Sequence, residues 1–165
     1  MKFLTRAVLP VAVFVLAPVA LEQAAHSRQQ GVLARKARTM WVLGTWQGTL
    51  PCADCSGIVT TLTLYEKAPK DFQGAIYRMH RHYLDRGSDT DYGHWRLLQG
   101  TSQTLDAVIY ELDPDLSTRT QYFLRVDENT LQQLDREMKP IASSMNFKLE
   151  RIAVESPPAA RLGEK

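Results

Sequence analysis

The most constraining feature of this chain is how briefly any pattern runs. From about Trp41 to Ile152 no interior segment keeps a period near 3.6 residues long enough for a packed helix. Short segments are cut instead by turn residues every ~8–12 positions. The clearest is GIVTTLTLYE, where Ile58, Leu62 and Leu64 fall on one face and Thr61 and Thr63 on the other. A period of two marks a strand with one buried face. Similar segments follow. QGAIYRMHRHYL is one, ended by RGSDTD; YGHWRLL resumes at Tyr92 and runs to the turn at Gly100 to Gln103. TLDAVIYEL, TRTQYFLRV, TLQQLD and SMNFKLERI complete the run. With Val42 to Leu50 in front, about eight strands are predicted, joined by short sequential connections. Such a chain closes most simply as an antiparallel up-and-down β-barrel, which leaves no free edge; a sandwich is the alternative. Leu62, Leu64, Trp95 and Ile109 are expected to point inward, to fill a small barrel or line a pocket. Trp41 and Trp46 are expected in the core or as plugs at a barrel end.

Composition fits one ordered domain: 44% hydrophobic and 23% charged residues in a chain of 165. The net charge of +2, with no dense Lys/Arg stripe, excludes an electrostatic footprint for nucleic acid.

The N-terminus points to export. Lys2 and Arg6 precede an apolar run from Ala7 to Leu21, and Ala25-His26-Ser27 offers small residues at a cleavage site. That run is shorter than the ~20 residues a spanning helix needs. Residues 1–27 read as a signal peptide cut after Ser27, with an uncleaved membrane anchor as the alternative, followed by a leader over 28–40, the β-domain over 41–152 and a loose tail over 153–165 around Pro157-Pro158. No cysteine lies near the cleavage site, so a periplasmic or envelope protein without a lipid anchor is expected, with no membrane association after cleavage.

The only two cysteines, Cys52 and Cys55, sit in TLPCADCSGI, between the first two strands. Three readings stay open. A C-x-x-C pair can aim two thiolates at one metal ion, and soft sulfur favours Cu(I) or Zn(II). A closed zinc site wants four ligands, whereas copper(I) accepts two or three. His80, His82 and His94 are the candidate additional ligands. His80 and His82 share one strand face, opposite Tyr77, Met79 and Tyr83, so the histidines are expected to face outward. The second reading is a structural disulfide, favoured by an oxidising compartment. The third is dithiol catalysis, which is disfavoured because a strand, not an activating helix, follows Cys55. Asp54, between the cysteines, is expected to cap a backbone N–H. No G-x-S-x-G, H-E-x-x-H or phosphate-binding glycine loop is present, and a non-enzymatic protein is expected. Asp85, Asp89, Asp91, Asp113 and Asp115 are read as turn residues.

The run GTLPCADCSGI with Thr60, Leu62 and Leu64 behind it resembles the NlpE N-terminal domain family of copper-resistance proteins. Tyr92-Gly93-His94-Trp95 is similar to its Y-G-x-W strand start, and Leu134-Asp135-Arg136 with Pro140-Ile141 to its L-D-R-x-G-x-P-I turn. The similarity spans roughly residues 44–151. It implies a lipocalin-like barrel in a bacterial envelope, linked to copper tolerance and to envelope-stress signalling through a sensor kinase. This chain departs from the pattern in lacking a lipobox cysteine and the C-terminal domain of longer members. Glu137-Met138 also stands in the late turn where a glycine is usual, which predicts a different backbone conformation there.

Overall fold

The computed structural model describes residues 17–100 and 104–153. Most of the expected signal peptide (1–16), residues 101–103 of the expected turn and the tail from 154 lie outside the described residues. Among the described residues one helix, α1 (Ala17–Ala37), precedes eight strands. These are β1 (Trp41–Leu50), β2 (Ile58–Glu66), β3 (Ile76–Tyr83), β4 (Ser88–Gln99), β5 (Val108–Leu112), β6 (Gln121–Arg125), β7 (Thr130–Leu134) and β8 (Lys148–Arg151). Each strand pairs antiparallel with its neighbours in sequence, and β8 returns to β1, closing an up-and-down barrel and excluding the sandwich.

Alternation decides what faces inward. β2 sends Leu62 and Leu64 into the core, beside Tyr77 and Met79 of β3 and Trp46 of β1. Trp95, Tyr110, Phe123, Leu131 and Leu149 fill the rest, so the interior is side chain rather than cavity along this stretch. Trp95 is fixed on all sides. Its indole N–H is within 3.1 Å of the carbonyls of Tyr65 and Ile76, and its ring meets Tyr110 edge-on and Phe72 at 5.3 Å. The outer face of β1–β2 carries most of the threonines, with Thr45 donating to Thr63 and Gln47 to Thr61.

Three expectations change, and a fourth is extended. Ile109 is fully buried but on the other face of β5 from Tyr110 and Leu112, in register with Leu98 and Leu124, because the period of two puts it outside the core. Trp41, at the start of β1, is 61% exposed, so it plugs nothing. β4 begins at Ser88, inside the segment read as a break: Ser88, Asp89 and Thr90 pair with His82, Arg81 and His80. The true turn is 84–87. Finally, the leader is helical over most of its length, as the end of α1.

Arg35 and Lys36 sit in the last turn of α1, where positive charge suits the helix dipole. Leu33 and Ala37, four residues apart on one stripe, bury against Ile76 on the outside of β3, with Tyr65 and Tyr92 alongside. Gln30 extends the stripe. Its amide nitrogen donates to the Tyr92 carbonyl at 2.9 Å and its oxygen accepts from the Tyr92 N–H at 2.6 Å. One side chain thus does for β4 what a neighbouring strand would do.

The barrel closes on its smallest seam. β1 and β2 share nine register pairs, whereas β1 and β8 share two, Trp46 with Arg151 and Gln47 with Glu150. Arg151 reinforces that seam: its guanidinium lies 5.2 Å from the Trp46 ring centroid and donates to the carbonyls of Leu43 and Glu128.

Candidate functional site: the cysteine loop

β1 ends at Leu50, and Pro51, which has no N–H to give, stops the ladder. Gly57 restarts the chain at a φ of 152°, where a β-carbon would come 2.9 Å from Thr49 Cγ2. Between them Cys52 and Cys55 are joined by a disulfide, with their Cα atoms 5.3 Å apart. This loop and the turn 84–87 share one end of the barrel, because β1–β2 and β3–β4 are successive hairpins.

The two are latched together. Arg86 reaches Asp54 twice: its Nη2 is 2.6 Å from Oδ1 and also donates to the Asp54 carbonyl at 3.0 Å. Asp85 accepts from the Ser56 N–H at 2.7 Å, and Leu84 N–H donates to the Gly57 carbonyl at 3.1 Å. The expected capping role therefore falls to Asp85, while Asp54 is an ion-pair partner. Arg86 holds the Asp54 carboxyl below the usual carboxylate range, and the Ser56 N–H does the same for Asp85. Both groups are exposed, so these pairs position the loop more than they stabilise the fold.

Among the described residues, the atoms of Cys52, Asp54 and Cys55 that could ligate a metal lie within 4.8 Å of one another. In the disulfide neither sulfur is a thiolate, so ligation requires reduction. The reduced set would offer two soft sulfurs and one hard oxygen, which fits a low-coordinate soft ion better than a closed zinc site. The histidines do not join this cluster. His80 and His82 face outward and sit 2.9 Å from Thr90 Oγ1 and Ser88 Oγ, and His94 Nδ1 is 3.1 Å from the Ala75 carbonyl. Each imidazole has a partner on the hairpin or loop it belongs to.

Sequence reasoning found the cysteines but not Arg86. No local pattern ties residue 86 to residue 54; only the shared barrel end does. It also missed the function of Gly93 in Y-G-H-W. A β-carbon there would lie 2.1 Å from Asp113 Oδ1 and 2.5 Å from the Tyr77 ring. That glycine makes room for a buried hydrogen bond in which the Tyr77 hydroxyl donates to Asp113 at 2.7 Å. Burial raises the Asp113 carboxyl above its usual range, while the Tyr77 hydroxyl and Arg119 pull it down.

The family model of the NlpE N-terminal domain matches residues 46–144, from the core tryptophan of β1 through the late turn. The chain belongs to the NlpE N-terminal domain family. Lipoprotein NlpE of Escherichia coli strain K12 is 34% identical over 110 residues, 64% of this chain. That stretch is 39% of the curated relative, so the chain spans about two fifths of its length. The crystal structure of the Cpx pathway activator NlpE from Escherichia coli is 30% identical, covering 69% of this chain and 52% of that one, with a TM-score of 0.40. The late turn of this NlpE-type domain corrects one expectation. Met138, at the position of the glycine in the resembled turn, adopts the left-handed backbone (φ 58°) that a glycine would take. Asp135 holds the turn by accepting from the N–H groups of Glu137 and Lys139.

Proposed function

We propose that this chain is an exported, non-enzymatic envelope protein that couples copper and envelope stress to a sensor kinase, with Cys52 and Cys55 as its responsive pair. Family membership supports the envelope-signalling class, and the similar Escherichia coli protein is described as a Cpx pathway activator. The single observation that carries the site is the convergence of Cys52, Asp54 and Cys55 on one loop. On this reading a thiol reductant opens the disulfide by exchange and is itself oxidised, and the freed Cys52 and Cys55 thiolates would hold Cu(I), with Asp54 as a third donor once it leaves Arg86. Export rests on the N-terminal sequence, with cleavage after Ser27. Every barrel contact of α1 named above comes from residues beyond that point and would survive it.

The test is titration of the reduced protein with Cu(I) against a competing chelator. Tight one-to-one retention in the wild type, abolished in Cys52→Ser/Cys55→Ser, is expected. Equal retention by both would sink the site.

A second reading has its own observation, the disulfide itself. There the loop is a permanent staple, and the barrel works by surface contact with a partner. Thiol counting on protein taken from the envelope separates the two. Persistently oxidised cysteines, with and without copper stress, favour the staple.

A further inference from the structure

The same end of the barrel carries a second feature, built by a mismatch in strand length. Residues 88–94 of β4 pair with β3, but β5 joins β4 only from Trp95 onward. The wall is therefore open beside the first half of β4. The loops after β5 and β7 frame the gap, which is a cleft of about 580 Å³. Three arginines line it: Arg81 from β3, Arg119 from the β5–β6 loop and Arg136 from the turn after β7.

The carboxylates in the cleft are Asp91 and Asp135, and both have prior engagements. Asp91 Oδ2 takes the Arg81 guanidinium and lies 3.5 Å from Arg119. Asp135 Oδ1 caps two N–H groups of its own turn. Arg81 is also held by Asp89 at 2.8 Å, so it is a fixed strut. The other two arginines differ from it. Arg119 is held less closely, in two longer ion pairs of 3.5 Å to Asp91 and 3.7 Å to Asp113, so part of its donor set is left for a ligand. Arg136 forms no hydrogen bond or ion pair among the described residues, and the side-chain amides of Gln121 and Gln133, also in the wall, are likewise unclaimed.

We infer that this cleft is a binding site for a small polar organic oxyanion, a carboxylate or a phosphate group on a hydrogen-bonding scaffold. A guanidinium offers paired N–H donors that match two oxygens of such a group, and Arg119 and Arg136 are the two with donors to give. The volume exceeds what one oxyanion fills, and the free amides of Gln121 and Gln133 suit neutral polar groups on the remainder of the ligand. The site is separate from the cysteine loop and does not depend on the copper reading.

The test uses the full chain, titrated in separate arms with inorganic phosphate and with citrate and followed by amide chemical shifts. Saturable shifts on residues 118–122 and 133–136 are expected for at least one arm, which identifies the oxyanion class. Arg119→Gln/Arg136→Gln should weaken that binding at least about tenfold, the loss of a charge-assisted pair. Cys52→Ser/Cys55→Ser should leave it unchanged. Arg136→Glu, at an exposed side chain with no partner to lose, guards against misfolding of the double variant and should also abolish binding. No saturable shift with either anion, or equal affinity in wild type and Arg136→Glu, overturns the site.

Discussion

At single residues the fold depends on places where backbone and side chain disagree, and two of them give sharp expectations. Met138 sits in left-handed space, which costs a non-glycine residue about 1 kcal/mol. Met138→Gly should therefore leave the late turn intact and raise stability by up to ~1 kcal/mol, read as a higher urea midpoint with unchanged slope. Asp113 also has a positive φ, 50°, but there asparagine is a tolerated guest. Its carboxyl is raised above the usual 3.8 by burial. The folded state therefore binds the proton more tightly than the unfolded state does, so this group's contribution to stability falls as pH rises from 3.8 through the raised value. Lowering the pH from about 7 toward about 4 should accordingly stabilise the wild type relative to Asp113→Asn. Urea unfolding of both proteins across that range checks the sign. A difference that stays flat or reverses would mean that the carboxylate is fully compensated by Tyr77 and Arg119.

Elements show what a sequence can and cannot disclose. β2 and β3 were legible because threonines alternate with leucines, and histidines with tyrosine and methionine. The start of β4 was not, because Ser-Asp-Thr-Asp has the composition of a turn. It becomes a strand because β3 supplies a partner for each residue: Arg81 for Asp89, Thr90 beside His80, Ser88 beside His82. Those cross-strand pairs outweigh weak local propensity. The helix was hidden for a related reason. Among the described residues its docking contacts are few, chiefly Gln30, Leu33 and Ala37, too little apolar periodicity to stand out from a polar segment. Leu33→Ala should thus loosen α1 without opening the barrel. Amide exchange in residues 30–37 is expected to quicken at least about tenfold, with β2 and β3 unchanged. Similar acceleration in β3 would show that the helix is an integral wall rather than a docked cover.

For the whole molecule, closure places the cysteine loop, the turn 84–87 and the arginine cleft at one end, a grouping that no linear spacing reveals. It also gives the disulfide a bounded share of stability. A ring of four residues removes little freedom from the unfolded chain, about 2 kcal/mol on the loop-entropy scale. Reduction should lower thermal stability by no more than that while the far-ultraviolet spectrum stays that of the barrel. Complete unfolding on reduction would make the pair a structural necessity and count against a responsive role.

The two-pair seam between β1 and β8 has a mechanical meaning. The chain leaves the barrel there, through an Ile152 N–H held by the Thr45 carbonyl. Tension on whatever follows Ile152 is delivered to the shortest strand. Pulled against the start of antiparallel β1, which lies at the same end, its hydrogen bonds to β1 break in succession rather than in shear. Arg151, stacked on Trp46 and tied to Leu43 and Glu128, is the rivet that must give first. A pull on the C-terminal side would thus peel β8 away and uncover Trp46 before it disturbed the opposite wall.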